Sequence, residues 1–196
     1  MPRAKQRTPE LRDRILDVAV DTLATSGAAG FTTRRIADRA DTSLPAIYEL
    51  FGDKSGLVRE VFFEGFRRLG ACYAELDETD DPTGDLIAAL QAFRGFATTN
   101  PMLFEVMYTK PFVDFDPGPE ESRVGIETRD FLVGRVRRGI EAGELLGDPT
   151  DIAHGLLALT CGLAAQELAG WMGSTRASTD RRWDVATTAF VHGLRR

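Results

Sequence analysis

The fold of this chain is decided by residues 30–57, which read GFTTRRIADRADTSLPAIYELFGDKSGL. Two hydroxyl residues at 32–33 mark the start of a short helix that runs through Ala40. Residues 41–43 are predicted to form a tight turn. A second short helix then runs from Leu44 to Phe51, where a Gly-Asp pair breaks it. Two short helices joined by a three-residue turn are typical of a helix-turn-helix.

The residue types of this segment suit a helix that enters the major groove of DNA. A groove roughly 12 Å wide admits a helix whose leading end is slim, and Ser43, Pro45 and Ala46 are slim. Apolar residues that would lock the two helices together are Ile36, Ala37, Ala40, Ile47 and Phe51. Helix N-termini offer unpaired N–H groups to phosphate oxygens, and Thr33 and Lys54 stand at two such ends.

The rest of the chain is predicted to be helical as well. Thr8-Pro9-Glu10 is a helix start signal, and Gly27 ends the first helix. Asp53 can cap a long fourth helix, and five more are predicted at 83–98, 101–108, 119–142, 148–172 and 178–194. We therefore predict an all-α fold of about nine helices. Its parts are a basic N-terminal arm (1–9), a three-helix helix-turn-helix domain (10–54), and a helical effector-binding and dimerisation bundle (55–196).

The charge is distributed unevenly along the chain. The net charge is −6, but residues 1–60 carry ten Lys or Arg and nine Asp or Glu, against fourteen and twenty-one in the remainder. This balance disfavours a general nucleic-acid coat protein. The basic arm, with Arg3, Lys5 and Arg7, could follow phosphates or enter a minor groove, or it could be a frayed solubilising tail.

Cysteine usage and hydropathy favour a cytoplasmic protein without a membrane partner. Cys72 and Cys161 lie in apolar helical patterns, as expected of buried, reduced thiols rather than a redox sensor. The start of the chain lacks the apolar segment of a signal peptide. The most apolar stretch, residues 152–172, holds Gln166-Glu167 and is predicted to be a buried helix.

No catalytic or metal-binding pattern is visible. The two histidines, His154 and His192, belong to no triad or metal-spaced motif, and there is no phosphate-binding loop. Asp151 and His154 stand three residues apart, but a helix-start acid beside an ordinary histidine is the better interpretation. We expect no enzyme activity, cofactor or metal.

Residues 10–60 resemble the DNA-binding domain of TetR-family regulators, with the hydroxyl cap, Ile-Ala, Ser-x-Pro, Tyr, Phe and Lys in register. The resemblance implies that Thr33, Tyr48 and Lys54 bind phosphate and that Arg34 reaches a base edge or phosphate. Leu44, Pro45 and Ala46, next to Ser43, would face the bases. From the residues alone, other roles stay open: Thr33 as a mere cap, Tyr48 in packing, and Arg34 and Lys54 as solvated charges.

Three residues depart from the family pattern. Asp41 stands where the turn usually has Gly, and Asp tolerates the left-handed conformation at slight strain. Leu50 replaces a ring that often contacts phosphate, and Glu49 adds negative charge near the DNA backbone. Together they predict modest affinity and a steep dependence on salt.

The last two predicted helices carry a candidate dimer interface. Small residues recur along one face at spacings of three and four (Gly155, Ala158, Gly162, Ala165 and Ala169), which lets another helix approach closely. The final helix repeats larger residues at similar spacing (Trp183, Thr187, Phe190 and Leu194). The resemblance implies a two-fold four-helix interface. A role in the monomer core is the alternative.

Aromatic and Met residues suggest a site for a small organic effector. The candidates are Phe62, Phe66, Phe93, Phe96, Phe104, Met107, Tyr108 and Phe112. By analogy with the family, we expect a homodimeric repressor that binds a pseudo-palindromic operator and is released by a small apolar effector. The alternative is a helical small-molecule carrier or adaptor that keeps a degenerate helix-turn-helix and does not bind DNA.

Overall fold

A computed structural model describes residues 8–109, 112 and 115–195, and the described part of the chain is all-helical, as predicted. It contains nine helices: α1 (Pro9–Gly30), α2 (Thr33–Arg39), α3 (Leu44–Phe51), α4 (Lys54–Ala74), α5 (Pro82–Thr99), α6 (Pro101–Tyr108), α7 (Pro119–Glu141), α8 (Pro149–Leu168) and α9 (Arg176–His192). Arg3, Lys5 and Arg7 of the predicted basic arm lie outside the described residues.

The helix ends follow local chemistry. The Thr8 hydroxyl accepts a hydrogen bond from the Leu11 amide. Pro9 is the first residue of α1, where an N–H group would have no partner within the helix and Pro has none. Asp148 caps α8 in the same way, by accepting from the amides of Thr150 and Asp151. Gly27 interrupts the helical conformation with φ +62° and ψ −175°, but helical residues follow it, so α1 ends at Gly30 and not at Gly27 as predicted.

The chain divides into two compact units, and the boundary falls within α4. The first comprises the described residues up to Gly65 together with those from Met102 to Glu121. Its core is built from Phe31, which lies between α1 and α2, and from side chains on the inner faces of α1 to α4: Leu11, Ile15, Ala19, Leu23, Ile36, Ile47, Leu57 and Val61. Burying each large apolar side chain contributes about 1.5–3 kcal/mol, which holds the short helices α2 and α3 in place.

The second unit comprises Phe66–Pro101 and the described residues from Ser122 onward. In it α5 packs against α8 and α9, and α8 packs against α9. The core includes Leu86, Leu90, Phe93, Leu132, Val136, Leu156 and Trp183, all 2% exposed or less. Within the described residues, no helix is both long enough and apolar enough to cross a bilayer.

Candidate nucleic-acid interface

Helix α3 has one buried side and one exposed side. The Ser43 hydroxyl caps the helix by accepting from the Ala46 amide at 3.3 Å. Ala46, Ile47 and Phe51 are buried, which fixes the rotation of the helix about its axis. The opposite side presents Pro45, Tyr48 and Glu49 to solvent. This second side is the only part of α3 that a groove could receive.

The turn before α3 has the left-handed residue that the sequence predicts. Asp41 has φ +46° and is the only non-glycine residue with positive φ among those described. The Thr42 amide donates to the Ala37 carbonyl at 3.0 Å, which closes the turn over the end of α2. The predicted turn geometry is confirmed, including the conformation that Asp41 tolerates better than most residues.

Arginine side chains tie the helix-turn-helix to α1. Arg39 of α2 donates to the Thr22 hydroxyl at 2.7 Å and pairs with Asp21. Arg12 of α1 pairs with Glu60 of α4 at 2.6 Å, and its guanidinium lies 5.4 Å from the centre of the Phe51 ring. These contacts join α2, α3 and α4 to α1. The helices that hold α3 are therefore fixed relative to one another, with one side of α3 left exposed.

The residues expected to bind phosphate lie at helix starts and on the exposed side of α3. Thr32, not Thr33, caps α2 by accepting from the Arg35 amide at 3.3 Å. Thr33 is half-buried as the first residue of α2, and Arg34 is exposed. Tyr48 is 44% exposed. Lys54 is exposed at the start of α4, which Asp53 caps through the Gly56 amide at 2.8 Å.

Two members of the expected base-contacting set have structural roles within the domain. The resemblance implies that Ala46 faces the bases, but its side chain is only 7% exposed and packs inside the domain. Ser43 is exposed, but its oxygen is engaged in capping α3. Leu44 is half-buried and Pro45 is exposed. The outward position that sequence reasoning did not count as a base contact is Glu49.

One residue of the expected effector set packs against the helix-turn-helix. Phe112 is 8% exposed and meets the Phe31 ring edge-on, with 5.2 Å between ring centres. The Lys54 ammonium group lies 5.6 Å from the centre of the Phe112 ring. Phe112 therefore contacts both the core of the first unit and a side chain expected to bind phosphate.

The other members of the expected effector set divide between the two units. Phe62, Phe104, Met107 and Tyr108 belong to the first, and Phe66, Phe93 and Phe96 belong to the second. In the first unit, the Phe104 and Tyr108 rings lie 5.4 Å apart. A side chain at Gly65 would place its Cβ 2.5 Å from the Met107 sulfur, so α4 and α6 approach closely there. All seven are buried except Tyr108, which is half-buried.

The small-residue face of α8 is open to solvent. Ala158, Gly162, Ala165 and Ala169 are all exposed, and a Cβ at Gly162 would meet no atom within 4 Å. Gly155, by contrast, is half-buried, and a Cβ there would lie 2.8 Å from the Phe190 ring. The face is thus apolar and uncovered over about three helical turns, from Ala158 to Ala169.

Two residues of the expected interface on α9 belong to the core of the second unit. Trp183 and Thr187 are both 0% exposed. The Trp183 indole donates to Glu167 at 2.6 Å, and the Thr187 hydroxyl donates to the Trp183 carbonyl. Neither offers a surface to a second chain, because both point into this one. Phe190 and Leu194 are half-buried, whereas Val185, 63% exposed, and Ala189 lie on the outer side of α9.

Sequence reasoning missed two ion-pair networks in the second unit. Arg94 donates twice to Glu167, both at 2.8 Å, and pairs with Asp180 at 2.7 Å. Asp85 accepts from Arg138 at 2.8 Å and from Arg135 at 3.3 Å. The partners lie 50 to 86 residues apart in the chain, so no local sequence pattern predicts them. The described residues contain no group of three or more possible metal ligands.

Two family models match the chain. Residues 15–61 match the model described as bacterial regulatory proteins of the tetR family, and residues 86–190 match the tetracycline repressor-like C-terminal domain. An HTH-type transcriptional regulator of Mycobacterium tuberculosis is 28% identical over 142 residues, which is 71% of this chain. A Mycobacterium bovis regulator gives the same values. The match spans 59% of these relatives' own length.

Solved structures show the same fold. A Rhodococcus sp. RHA1 protein of unknown function superposes with a TM-score of 0.83, at 24% identity and full coverage of both chains. A tetR-family regulatory protein from Rhodococcus RHA1 gives a TM-score of 0.69 at 21% identity, covering 92% of this chain and 97% of the other. With one family model matching the helix-turn-helix and another matching more than half of the chain, this protein is a member of the TetR family of bacterial transcriptional regulators.

Proposed function

We propose that this chain is a homodimeric repressor in the cytoplasm, which binds a pseudo-palindromic DNA operator through α3 and is released by a small apolar effector. The observation that carries the proposal is the two-sided character of α3. Its inner side is held by the buried residues Ile47 and Phe51, while Pro45 and Tyr48 are exposed on the opposite side. A rigid, exposed and slim helix is what major-groove recognition requires.

The charges around α3 support phosphate binding. Arg34 and Lys54 are exposed at the first turns of α2 and α4, where helix N-termini also offer amide groups to anions. The Tyr48 hydroxyl adds a neutral donor on the same side as Pro45. Phosphate contacts of this kind set the position of the helix, and side chains on α3 then read the bases.

A second copy of this chain is the proposed partner of the α8 face. Soluble proteins seldom leave a long apolar helix face uncovered. Ala158, Gly162 and Ala165 allow a partner helix to approach closely, and Val185 on α9 extends the apolar surface. Two-fold symmetry would set two α3 helices about one DNA turn apart, roughly 34 Å.

The effector is proposed to act on the aromatic cluster of the first unit, which includes Phe62 and Phe104. In the same unit, the Phe112 ring contacts Phe31 and lies beside the Lys54 ammonium group. A ligand that prefers one arrangement of these residues would shift the population away from the DNA-binding form. Release from the operator on effector binding is the result expected of the proposed repressor.

Salt-dependent DNA binding tests the proposal. We expect the protein to retard DNA that flanks its own gene, with a binding constant that falls steeply as salt rises. Lys54→Ala removes one phosphate contact, so it should weaken binding to every sequence and lower the salt slope by about one. Fluorescence anisotropy with labelled duplexes at several salt concentrations measures both quantities.

The control variant is Arg137→Ala, which removes the same charge from an exposed position on α7 in the second unit. It should leave the salt slope unchanged. Equal salt slopes for Lys54→Ala and the parent protein would show that Lys54, at the start of α4, does not bind a DNA phosphate. No binding to any flanking DNA would favour the carrier or adaptor over the repressor.

A further inference from the structure

The Phe112 ring lies beside the start of α4. The Lys54 ammonium group lies over this ring, 5.6 Å from its centre. A cation within about 6 Å of a ring centre is attracted by the negative charge of the aromatic face. Phe112 is 8% exposed, whereas Lys54 is exposed. An exposed cationic side chain is therefore held on one side by a buried ring.

The ring is fixed by contacts that do not involve the lysine. Phe31, which is 0% exposed, meets the Phe112 ring edge-on at 5.2 Å between ring centres. The Phe115 amide donates to the Phe112 carbonyl at 3.2 Å, and the Phe115 ring lies 5.6 Å from the ring of Phe62 on α4. Both the side chain and the backbone of Phe112 are thus anchored within the first unit.

A fixed ring lowers the cost of a phosphate contact by the lysine. A lysine side chain is a flexible four-carbon stem, and it loses rotamer freedom when its ammonium group is held by a partner. A side chain that is already restrained before DNA arrives loses less freedom on binding. The ammonium group has three N–H donors, so contact with an aromatic face on one side leaves donors for a phosphate on another.

We propose that Phe112 is a positioning residue, which holds the Lys54 ammonium group in place for a DNA phosphate. This inference rests on the phosphate contact proposed for Lys54. Phe112 acts through the lysine and need not touch DNA itself. Its role depends on the charge of the ring face and not only on the volume that the ring fills.

A fluorinated ring tests this role, because fluorine withdraws the negative charge of the aromatic face and leaves the shape of the side chain almost unchanged. A trifluorinated phenylalanine in place of Phe112 should weaken binding to the flanking DNA about two- to fivefold in the anisotropy assay. Phe112→Tyr keeps the negative face and should bind as tightly as the parent protein. In the Lys54→Ala variant, fluorination of residue 112 should have no effect, since the ring then has no cation to hold.

The matched control is the same fluorinated side chain in place of Phe115, which is 6% exposed and packs on Phe62. It should leave DNA affinity unchanged. Equal losses at the two positions, or equal losses with and without Lys54, would show that Phe112 only packs.

Two other results separate this inference from the proposed function. If fluorination of Phe112 leaves affinity unchanged while Lys54→Ala weakens binding, the lysine binds phosphate without help from the ring, and only the positioning role fails. If Lys54→Ala binds DNA as tightly as the parent protein, the phosphate contact itself fails and the positioning role fails with it.

Discussion

The Asp85 carboxylate offers a quantitative test of how the second unit is held together. It is 6% exposed and accepts hydrogen bonds from Arg138, Arg135, and both the amide and the hydroxyl of Thr79. Arg135 also donates to the Leu76 carbonyl at 3.2 Å. One carboxylate therefore joins α5, α7 and the segment that follows α4.

The pKa of Asp85 gives the size of its contribution. Burial raises this pKa, but the hydrogen bonds from Arg138 and Thr79 and the charge of Arg135 outweigh burial and lower it from 3.8 to about 2. A difference of nearly two units corresponds to about 2 kcal/mol at neutral pH. Breaking a buried ion pair can cost about 3–5 kcal/mol. The smaller value is expected here, because Arg138 is partly exposed and keeps Glu78 as a partner.

Asp85→Asn should lower the free energy of unfolding by about 2 kcal/mol at pH 7. Because the pKa is lower in the folded state than in the unfolded chain, the stabilisation is present above about pH 4 and is lost as pH falls towards 2. The difference between variant and parent should be equal at pH 7 and pH 5 and about half as large at pH 3. Urea denaturation followed by far-ultraviolet circular dichroism, at one fixed protein concentration, measures it.

Asp130→Asn is the control, since Asp130 is exposed on α7 and pairs only with its neighbour Arg129 in the described contacts. It should change stability by less than about 1 kcal/mol. If Asp85→Asn is as stable as the parent protein at pH 7, the Asp85 ion pairs do not stabilise the fold. If the full difference persists at pH 3, ionisation of Asp85 is not its source.

Three further predictions concern the turn, the α8 face and the thiols. Asp41→Ala should be less stable than Asp41→Gly by about 1 kcal/mol in the same urea assay, because φ +46° strains a residue with a Cβ. Ala165→Glu should convert a dimer to monomers in sedimentation experiments, whereas Ala142→Glu, at an exposed site after α7, should not. Burial raises the pKa of the Cys161 thiol to about 12, so iodoacetamide at pH 8 should modify it far more slowly than a free cysteine.

The sequence was sufficient for helices whose ends carry local signals. The predicted bounds of α6, 101–108, are confirmed, because Pro101 opens the helix. The prediction for α8 ran too far, to residue 172. The helix ends at Leu168, and Gly170 then turns the chain at φ +75°. The apolar pair Trp171-Met172 continues the helical pattern past Gly170, so the pattern predicts a longer helix.

The start of α9 is marked by a capping signal of an unusual form. The sequence pattern predicts a start at residue 178, yet the helix begins at Arg176. Thr175 and Ser178 form a reciprocal capping box, in which each side chain bonds the other residue's backbone. Ser178 stands at the third helical position, where this motif usually has Glu or Gln. The usual form of the motif therefore does not detect this helix start.

The candidate site shows where sequence reasoning stops. Register with the family indicates which residues lie on α3, but the rotation of the helix depends on packing against α1, α2 and α4. That packing buries Ala46 and exposes Glu49. Likewise, helical periodicity found the α8 face but could not tell that Trp183 turns inward to Glu167. Both outcomes are set by contacts between residues distant in sequence.

The most direct test of the account is the number of chains bound to one operator. Analytical ultracentrifugation of the protein with a labelled duplex, taken from the flanking DNA that it retards, gives the mass of the complex. A two-fold dimer binds as two chains per duplex, and moving the half-sites apart by half a DNA turn should abolish this complex. A single chain bound to one half-site, with affinity unaffected by the spacing, would contradict it.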